Sequence, residues 1–282
     1  KEEGGAPAKL KLMDEDAFIF CPKPSTFTPL YEPSDSASYT ARFGSVNAGS
    51  FELYVGGGAI NLGFARILHK VGHPVDDYEF MHKELYKKVK EQPQTFRSER
   101  GWKLAEWPAD PPDAPPADPP KRLPHGVAST SVLLSTLPSN FEAMGHLAGT
   151  VFVDVFEADM RPEANPNNRA MVYVVGPEGS LAKDSVDFLS ACEYTGANIA
   201  RALTEHNAAH KSDTLEMVRM CLVSGGVFRH PETSKEDVAK AFIKGMSQEV
   251  EVGKTPKIEF AYDEDVFQIA YLALKAEARP DV

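Results

Sequence analysis

The sequence predicts an α/β protein built on a largely parallel sheet covered on both faces. Two observations carry that expectation. In the second half of the chain, short apolar runs alternate with segments of helical periodicity, and each run ends in glycine, proline or a capping residue before the next helix opens. Alternation of this kind places crossover helices on the faces of parallel strands.

The elements follow in order. Asp14 and Asp16 stand beside an expected first strand. Residues 45–50 (SVNAGS) read as a loop, and Gly56, Gly57 and Gly58 open an expected helix over 60–71. Residues 149–158 (GTVFVDVFEA) alternate and are rich in Val and Phe, which predicts a strand. Residues 171–175 (MVYVV), closed by Gly176-Pro177, predict a buried one. Over 185–206, Val186, Leu189, Cys192, Ile199 and Leu203 recur at helical spacing. Residues 217–223 form another apolar run, ended by Ser224-Gly225-Gly226. Ser234 with Asp237 reads as an N-cap with an acidic first turn, opening a helix through residue 246. Residues 257–262 (KIEFAY) are strand-like, and Asp263 is placed to cap a last helix holding Val266, Phe267, Ile269 and Leu272.

Residues 107–124 are dense in Pro and Asp, so they can form neither a helix nor an interior strand. They are expected to be an insertion within a single domain spanning residues 1–282, the other reading being a linker between two domains. Two further polar stretches, 22–38 and 161–169, read as connections. No repeat of the solenoid kind is present.

Composition limits the function. The 282 residues are 42% hydrophobic, enough for a sizeable core, and 30 Lys plus Arg against 41 Asp plus Glu leave a net charge of −11. That balance argues against a general nucleic-acid or anionic-membrane surface, which needs clustered positive charge. A small anion is still admissible, since backbone N–H groups bind phosphate without lysine or arginine. Cys21, Cys192 and Cys221 show no paired spacing, which fits a reducing, intracellular setting, cytoplasmic or nuclear. No apolar run reaches the roughly 20 residues of a membrane span. The opening KEEGG is polar, carries no signal peptide and lacks an initiating Met, so a trimmed start is expected. The eight histidines show no metal-ligand spacing, and no metal is predicted.

Two glycine-bearing loops are the candidate site, because ligands of such sheets sit beyond the carboxyl ends of the strands. The first is Ser45-Val46-Asn47-Ala48-Gly49-Ser50 followed by Gly56-Gly57-Gly58-Ala59-Ile60. The second is Ser224-Gly225-Gly226-Val227-Phe228-Arg229-His230-Pro231. Together with the strand ending Val175-Gly176-Pro177 and the helix around Phe188 to Tyr194, they resemble the macro domain family of ADP-ribose-binding, Appr-1-p processing type. The likeness is fullest over 171–271, and the chain reads as a divergent member.

That resemblance implies a three-layer α/β/α sandwich with a mixed, mostly parallel sheet, and ADP-ribose or ADP-ribosylated protein as the partner, with no separate cofactor. It implies that Asn47 and Gly56, Gly57, Gly58, Ala59 and Ile60 lie along the distal ribose and phosphates. Ser224, Gly225, Gly226, Val227 and Phe228 would wrap the diphosphate, with the Phe228 ring by the ribose, and Tyr262 would stack near adenine. An early acid, Asp14 or Asp16, would read the adenine amino group.

The chain departs from the family where chemistry is done. Hydrolysing members carry an Asp or adjacent glutamates just after the glycine run, where this chain has Ala59-Ile60-Asn61. A second loop asparagine is replaced by Gly49 or Ser50. Loss of that carboxylate removes the group that would orient or deprotonate water. Binding is therefore the first expectation, and an ADP-ribosyl hydrolase or O-acyl-ADP-ribose deacylase the alternative. The catalytic residue of that alternative is unknown: Asn47 is its weak candidate, and Glu52 and His230 read as surface or capping residues.

Overall fold

The computed structural model describes residues 17–20, 40–49, 104–106, 127–133, 144, 148–156, 158, 161 and 166–278. Among the described residues, eight strands form one sheet: β1 (Phe18–Phe20), β2 (Phe43–Gly49), β3 (Leu104–Glu106), β4 (Val127–Leu133), β5 (Val151–Phe156), β6 (Asn168–Val175), β7 (Met217–Met220) and β8 (Lys257–Phe260). Their spatial order is β1-β8-β7-β2-β6-β5-β4-β3. The pairings from β1 to β6 are parallel, and those from β6 to β3 antiparallel. The sheet is thus mixed, with the parallel half made by the segments in which strands and helices alternate. Strands β3 and β4, from either side of residues 107–124, pair with each other. The Pro-rich stretch itself lies outside the described residues.

β-Branched and aromatic residues make the central strands. Every residue of β5 (VFVDVF) is buried, and in β6 (NRAMVYVV) only Arg169 is half-exposed. Since successive side chains point to opposite faces, burial at every position means that both faces of the sheet are covered.

β2 corrects the sequence reading. Residues 45–49, expected in a loop, belong to a strand inside the sheet that pairs with β6 along its whole length and with β7 over residues 43–45. Its sequence, FGSVNAG, has the small polar composition of a turn, but pairing with its neighbours overrides that preference. Ser45 and Asn47 are consequently buried.

Among the described residues there are three α-helices: α1 (Ser185–Ala209), α2 (Lys235–Glu249) and α3 (Glu264–Ala278). Asp184 caps α1, its carboxylate accepting from Asp187 N at 2.9 Å. Ser234 and Asp237 form the capping box expected at α2. The crossovers β6-α1-β7 and β7-α2-β8 step the same way across the sheet, which by their usual right-handedness puts both helices on one face. α1 packs on α2, α2 on α3, and α3 reaches β1. Phe260 of β8 stacks on Phe267 of α3 at 4.0 Å, so this face is apolar. Arg219 and Glu259, one residue back on their strands, point the other way and form a buried ion pair at 2.7 Å.

The helical stripes are not quite those expected. In α1, Cys192, Ile199 and Leu203 are buried, but Val186 is exposed in the first turn. In α3, Ile269 and Leu272 are exposed, and the buried stripe is Val266, Phe267, Ala270, Tyr271 and Leu274. The seam between α1 and α2 requires glycine at two places. A Cβ on Gly196 would lie 2.3 Å from the Phe242 carbonyl oxygen, and one on Gly245 1.8 Å from that of Glu193.

Candidate functional site

Strands β1, β8, β7, β2 and β6 are parallel, so Phe20, Phe260, Met220, Gly49 and Val175 all end at one edge of the sheet. The described connections, those leaving β6, β7 and β8, start from that edge. Gly56, Gly57, Gly58, Ala59 and Ile60, with Glu52, Asn61, Asp14 and Asp16, lie outside the described residues. The second expected loop, after β7, is described in full.

That loop is built from the core outward. Cys221, Leu222 and Val223 continue β7 as buried chain. Ser224 then takes a positive φ of 57°, unusual for a side-chain-bearing residue, and donates from Oγ to the Pro177 carbonyl at 2.8 Å. Gly176 makes room for this contact: a Cβ there would stand 2.2 Å from Ser224 Oγ. Three residues on, Gly179 N–H donates to Phe228 O at 2.7 Å, and a Cβ on Gly179 would collide with the His230 backbone at 2.3 Å. The chain after β6 and the loop after β7 are therefore docked on each other. The Val175-Gly176-Pro177 motif was legible in the sequence, but its role as the seat of Ser224 was not.

At the tip, Gly225 N–H donates to Leu222 O (3.3 Å) and Arg229 N–H to Gly226 O (3.1 Å). Between them, the N–H groups of Gly226, Val227 and Phe228 have no acceptor among the described residues. Gly226 is exposed, with nothing within 4 Å of where a Cβ would stand, and Val227 is 97% exposed. Three successive N–H groups without an internal partner, on an exposed turn, are donors that an anion could use. The helix terminus beyond contributes less than expected: residues 230–233 form a further turn, and the Asp237 carboxylate already takes Ser234 N–H at 2.9 Å.

The other expected residues that the structure describes lie on separate elements. Tyr262 is half-buried just beyond β8, and Ala261 N–H donates to Met220 O at 3.0 Å, which holds that chain beside the start of the loop. Asp263, also at positive φ (55°), takes Lys235 Nζ at 2.7 Å and so ties the end of β8 to α2. Phe228 is half-buried. Asn47 lies within β2, fully buried beside Tyr173, two residues short of the edge. His230 Nδ1 accepts from Glu232 N–H at 3.2 Å and its ring packs near Phe188, while the cap of α2 is Ser234. The Arg229 guanidinium is engaged by Thr233 O. Burial pushes the Cys221 thiol up to about 12 and that of Cys192 well above its usual range, so neither is an ionised nucleophile. No group of three metal-ligating side chains occurs among the described residues, and no helix there is long and apolar enough to cross a membrane.

Residues 125–279, which carry β4 to α3, match the Mitochondrial association factor 1 C-terminal domain family. The chain belongs to that family. The expected Appr-1-p processing type is thus not the family whose pattern the chain carries. A relative from Plasmodium yoelii yoelii, "DNA/RNA-binding protein ALBA4", is 35% identical over 259 residues, covering 90% of this chain and 64% of its own length. Its Plasmodium falciparum counterpart is 33% identical over 258 residues, with the same coverage. "Mitochondrial association factor 1 form b0" of Toxoplasma gondii is 27% identical over 244 residues, covering 84% of this chain and 52% of its own length. The chain therefore spans less than two thirds of these relatives. Among solved structures it is similar to the Oceanobacillus iheyensis macrodomain with ADP, at 14% identity and a TM-score of 0.41, over 86% of this chain and 90% of that one.

Proposed function

We propose that this chain binds ADP-ribose, free or attached to protein, at the carboxyl edge of its parallel strands. The observation that supports the reading is the turn Gly226-Val227-Phe228, whose three N–H groups have no acceptor among the described residues. A diphosphate there would be held by backbone donors, which suits a chain of net charge −11. Ser224 and Gly225 shape the turn, Phe228 and Tyr262 supply flanking rings, and the glycine run Gly56 to Gly58 with Ala59 and Ile60 enters this reading from sequence alone.

Calorimetry with ADP-ribose tests it, and Gly226→Glu is the informative variant. A side chain at Gly226 meets open space, so the fold tolerates it while a carboxylate enters the phosphate position. Gly225 is unsuitable, because a Cβ there would strike Leu222 at 2.4 Å. Binding by the native chain and none by the variant is expected. Absence of heat with the native chain at millimolar ligand refutes the reading.

Hydrolysis of ADP-ribosyl or O-acyl-ADP-ribose bonds is the weaker reading. Asn47 sits inside a strand, and the described thiols and His230 are engaged or un-ionised. Release of ADP-ribose from modified protein is expected to run at least about a hundredfold below an Asp-bearing enzyme, about 2.7 kcal/mol in barrier. Nucleic-acid binding, which the Plasmodium relatives' name states for them, is not proposed for this chain, whose net charge of −11 opposes a phosphate backbone.

A further inference from the structure

The other edge of the sheet, where β7 and β8 begin, holds a cavity of about 530 Å3 between the end of α1, the 211–216 connection and the 250–257 loop. Its volume falls in the range of small-molecule sites, about 300–1,000 Å3. We infer that this cavity is a second binding site, for a small molecule that joins one anionic group, a carboxylate or phosphate monoester, to a short apolar body.

The walls are preformed. Asn207 spends its whole amide on them: Nδ2 donates to Leu215 O at 2.9 Å and Lys254 O at 3.3 Å, and Oδ1 accepts from Leu215 N–H at 2.8 Å. Thr204 and Thr255 join hydroxyl to hydroxyl at 2.6 Å, Thr255 N–H donates to Glu251 O at 2.9 Å, and Lys257 N–H donates to Glu216 O at 3.0 Å. A left-handed Gly253 (φ 78°) turns the loop. Leu215 and Pro256 give a buried apolar floor, and Val252 stands 77% exposed at the rim.

Charge selects the ligand. Both wall carboxylates are already matched. Glu216 takes Arg42 N–H at 2.8 Å and its guanidinium at 3.4 Å, which holds its carboxyl below the ordinary range, and Glu251 takes Lys254 at 2.5 Å. Lys211 and Lys257 line the same cavity and have no carboxylate partner among the described residues. Two cations are left over above an apolar floor. The ends of α1 and α2 come to this edge as well, and lysine is favoured near a helix C-terminus for its own sake. The test separates that purely structural use from ligand binding.

Octanoate and octyl phosphate are titrated into the full chain, with octanol as the uncharged control, and amide NMR shifts are followed at Lys211, Gly253 and Lys257. Saturable shifts at these amides are expected for either anion or for both, the better one naming the head group. Octanol should bind about tenfold more weakly, roughly the effect of one or two partly exposed charge pairs. Lys211→Glu with Lys257→Glu should erase the preference for the anions, Lys211→Arg with Lys257→Arg should keep it, and added salt should weaken the anions but not octanol. Equal binding of octanol, an unchanged anion affinity in the glutamate pair, or shifts confined to other surfaces overturns the assignment. A glutamate pair that only melts at a lower temperature also overturns it, because the lysines would then serve the helix ends. The salt dependence is read on the native chain and decides the matter if that pair fails to fold.

Discussion

Replacing Gly245 by alanine sets two effects of opposite sign against each other. Within a helix, alanine is favoured over glycine by about 1 kcal/mol, so propensity alone predicts a more stable protein. The structure predicts the reverse. The added Cβ would lie 1.8 Å from the Glu193 carbonyl oxygen and 2.8 Å from Ala197 N, both backbone atoms of α1 that cannot rotate away. Ordinary contact begins near 3.4 Å, so α1 and α2 must part by about 1.6 Å at this point, the difference between 3.4 and 1.8. Separation would open the packing of Phe242, Ile243 and Met246, which are wholly buried. Overpacking costs about 1–3 kcal/mol, and rigid obstacles put this site at the top of that range. After the propensity gain, a net loss of about 2 kcal/mol remains, a large share of the 5–15 kcal/mol typical of a domain. Urea denaturation monitored by circular dichroism reads it as a lower midpoint at unchanged slope. Gly226→Ala is the control: the site is open and its φ ordinary, so the variant should be neutral or gain up to about 1 kcal/mol. A Gly245→Ala protein as stable as the native one would refute the reasoning.

Other outcomes follow from the same geometry. With its thiol pushed up to about 12, Cys221 should be about one part in ten thousand thiolate near pH 8, so alkylation mapped by mass spectrometry should spare Cys192 and Cys221 in the native protein and reach both in denaturant. Ser234→Ala should cost about 1 kcal/mol in the same urea assay by removing the α2 capping box. The Ser234 backbone N–H and then its hydroxyl hold the Asp237 carboxyl below its ordinary value of 3.8. Its contribution is therefore complete above that value and lost as pH falls through the lowered folded one. Between neutral and about pH 3 the alanine variant should lose less stability than the native chain, and equal losses would count against the cap. Deleting residues 110–120 shortens a connection between antiparallel neighbours, β3 and β4, and should shift stability by no more than about 1 kcal/mol. A large loss, or tryptic halves that separate and fold alone, would point to two domains.

The second half of the fold was legible because its signals are local and agree with one another. Ser234 and Asp237 announce α2, and β5 and β6 are written in Val, Phe and Tyr. β2 was not legible, because Ser45, Asn47 and Gly49 have the composition of a loop and only their neighbours make them a strand. Nor was β4, since in its sequence (VASTSVL) no period stands out. In α3 the sequence offers Ile269 and Leu272 as readily as Ala270 and Leu274, and only the position of the sheet selects between the two stripes. Of the candidate site, the turn at Gly226 could be anticipated from its glycines, but its anchoring by Pro177 joins residues 47 positions apart. The cavity on the opposite edge left no motif at all, being assembled from three separated segments.

Gly176 and Ser224 occupy one shared void, and the chain has settled which of them fills it. A methyl at 176 would overlap the Ser224 hydroxyl, while the φ of 57° at 224 is one that glycine adopts without strain. The two positions are thus exchangeable only as a pair. Gly176→Ala alone should be strongly destabilising, whereas Gly176→Ala with Ser224→Gly moves the bulk from one side of the void to the other, leaving only a rotation of Val223 to absorb the 2.8 Å contact. Their energies should be non-additive, with the double variant the milder of the two. As relatives of this chain drift, these two codons are expected to change hands together, a coevolving pair whose origin is steric rather than chemical.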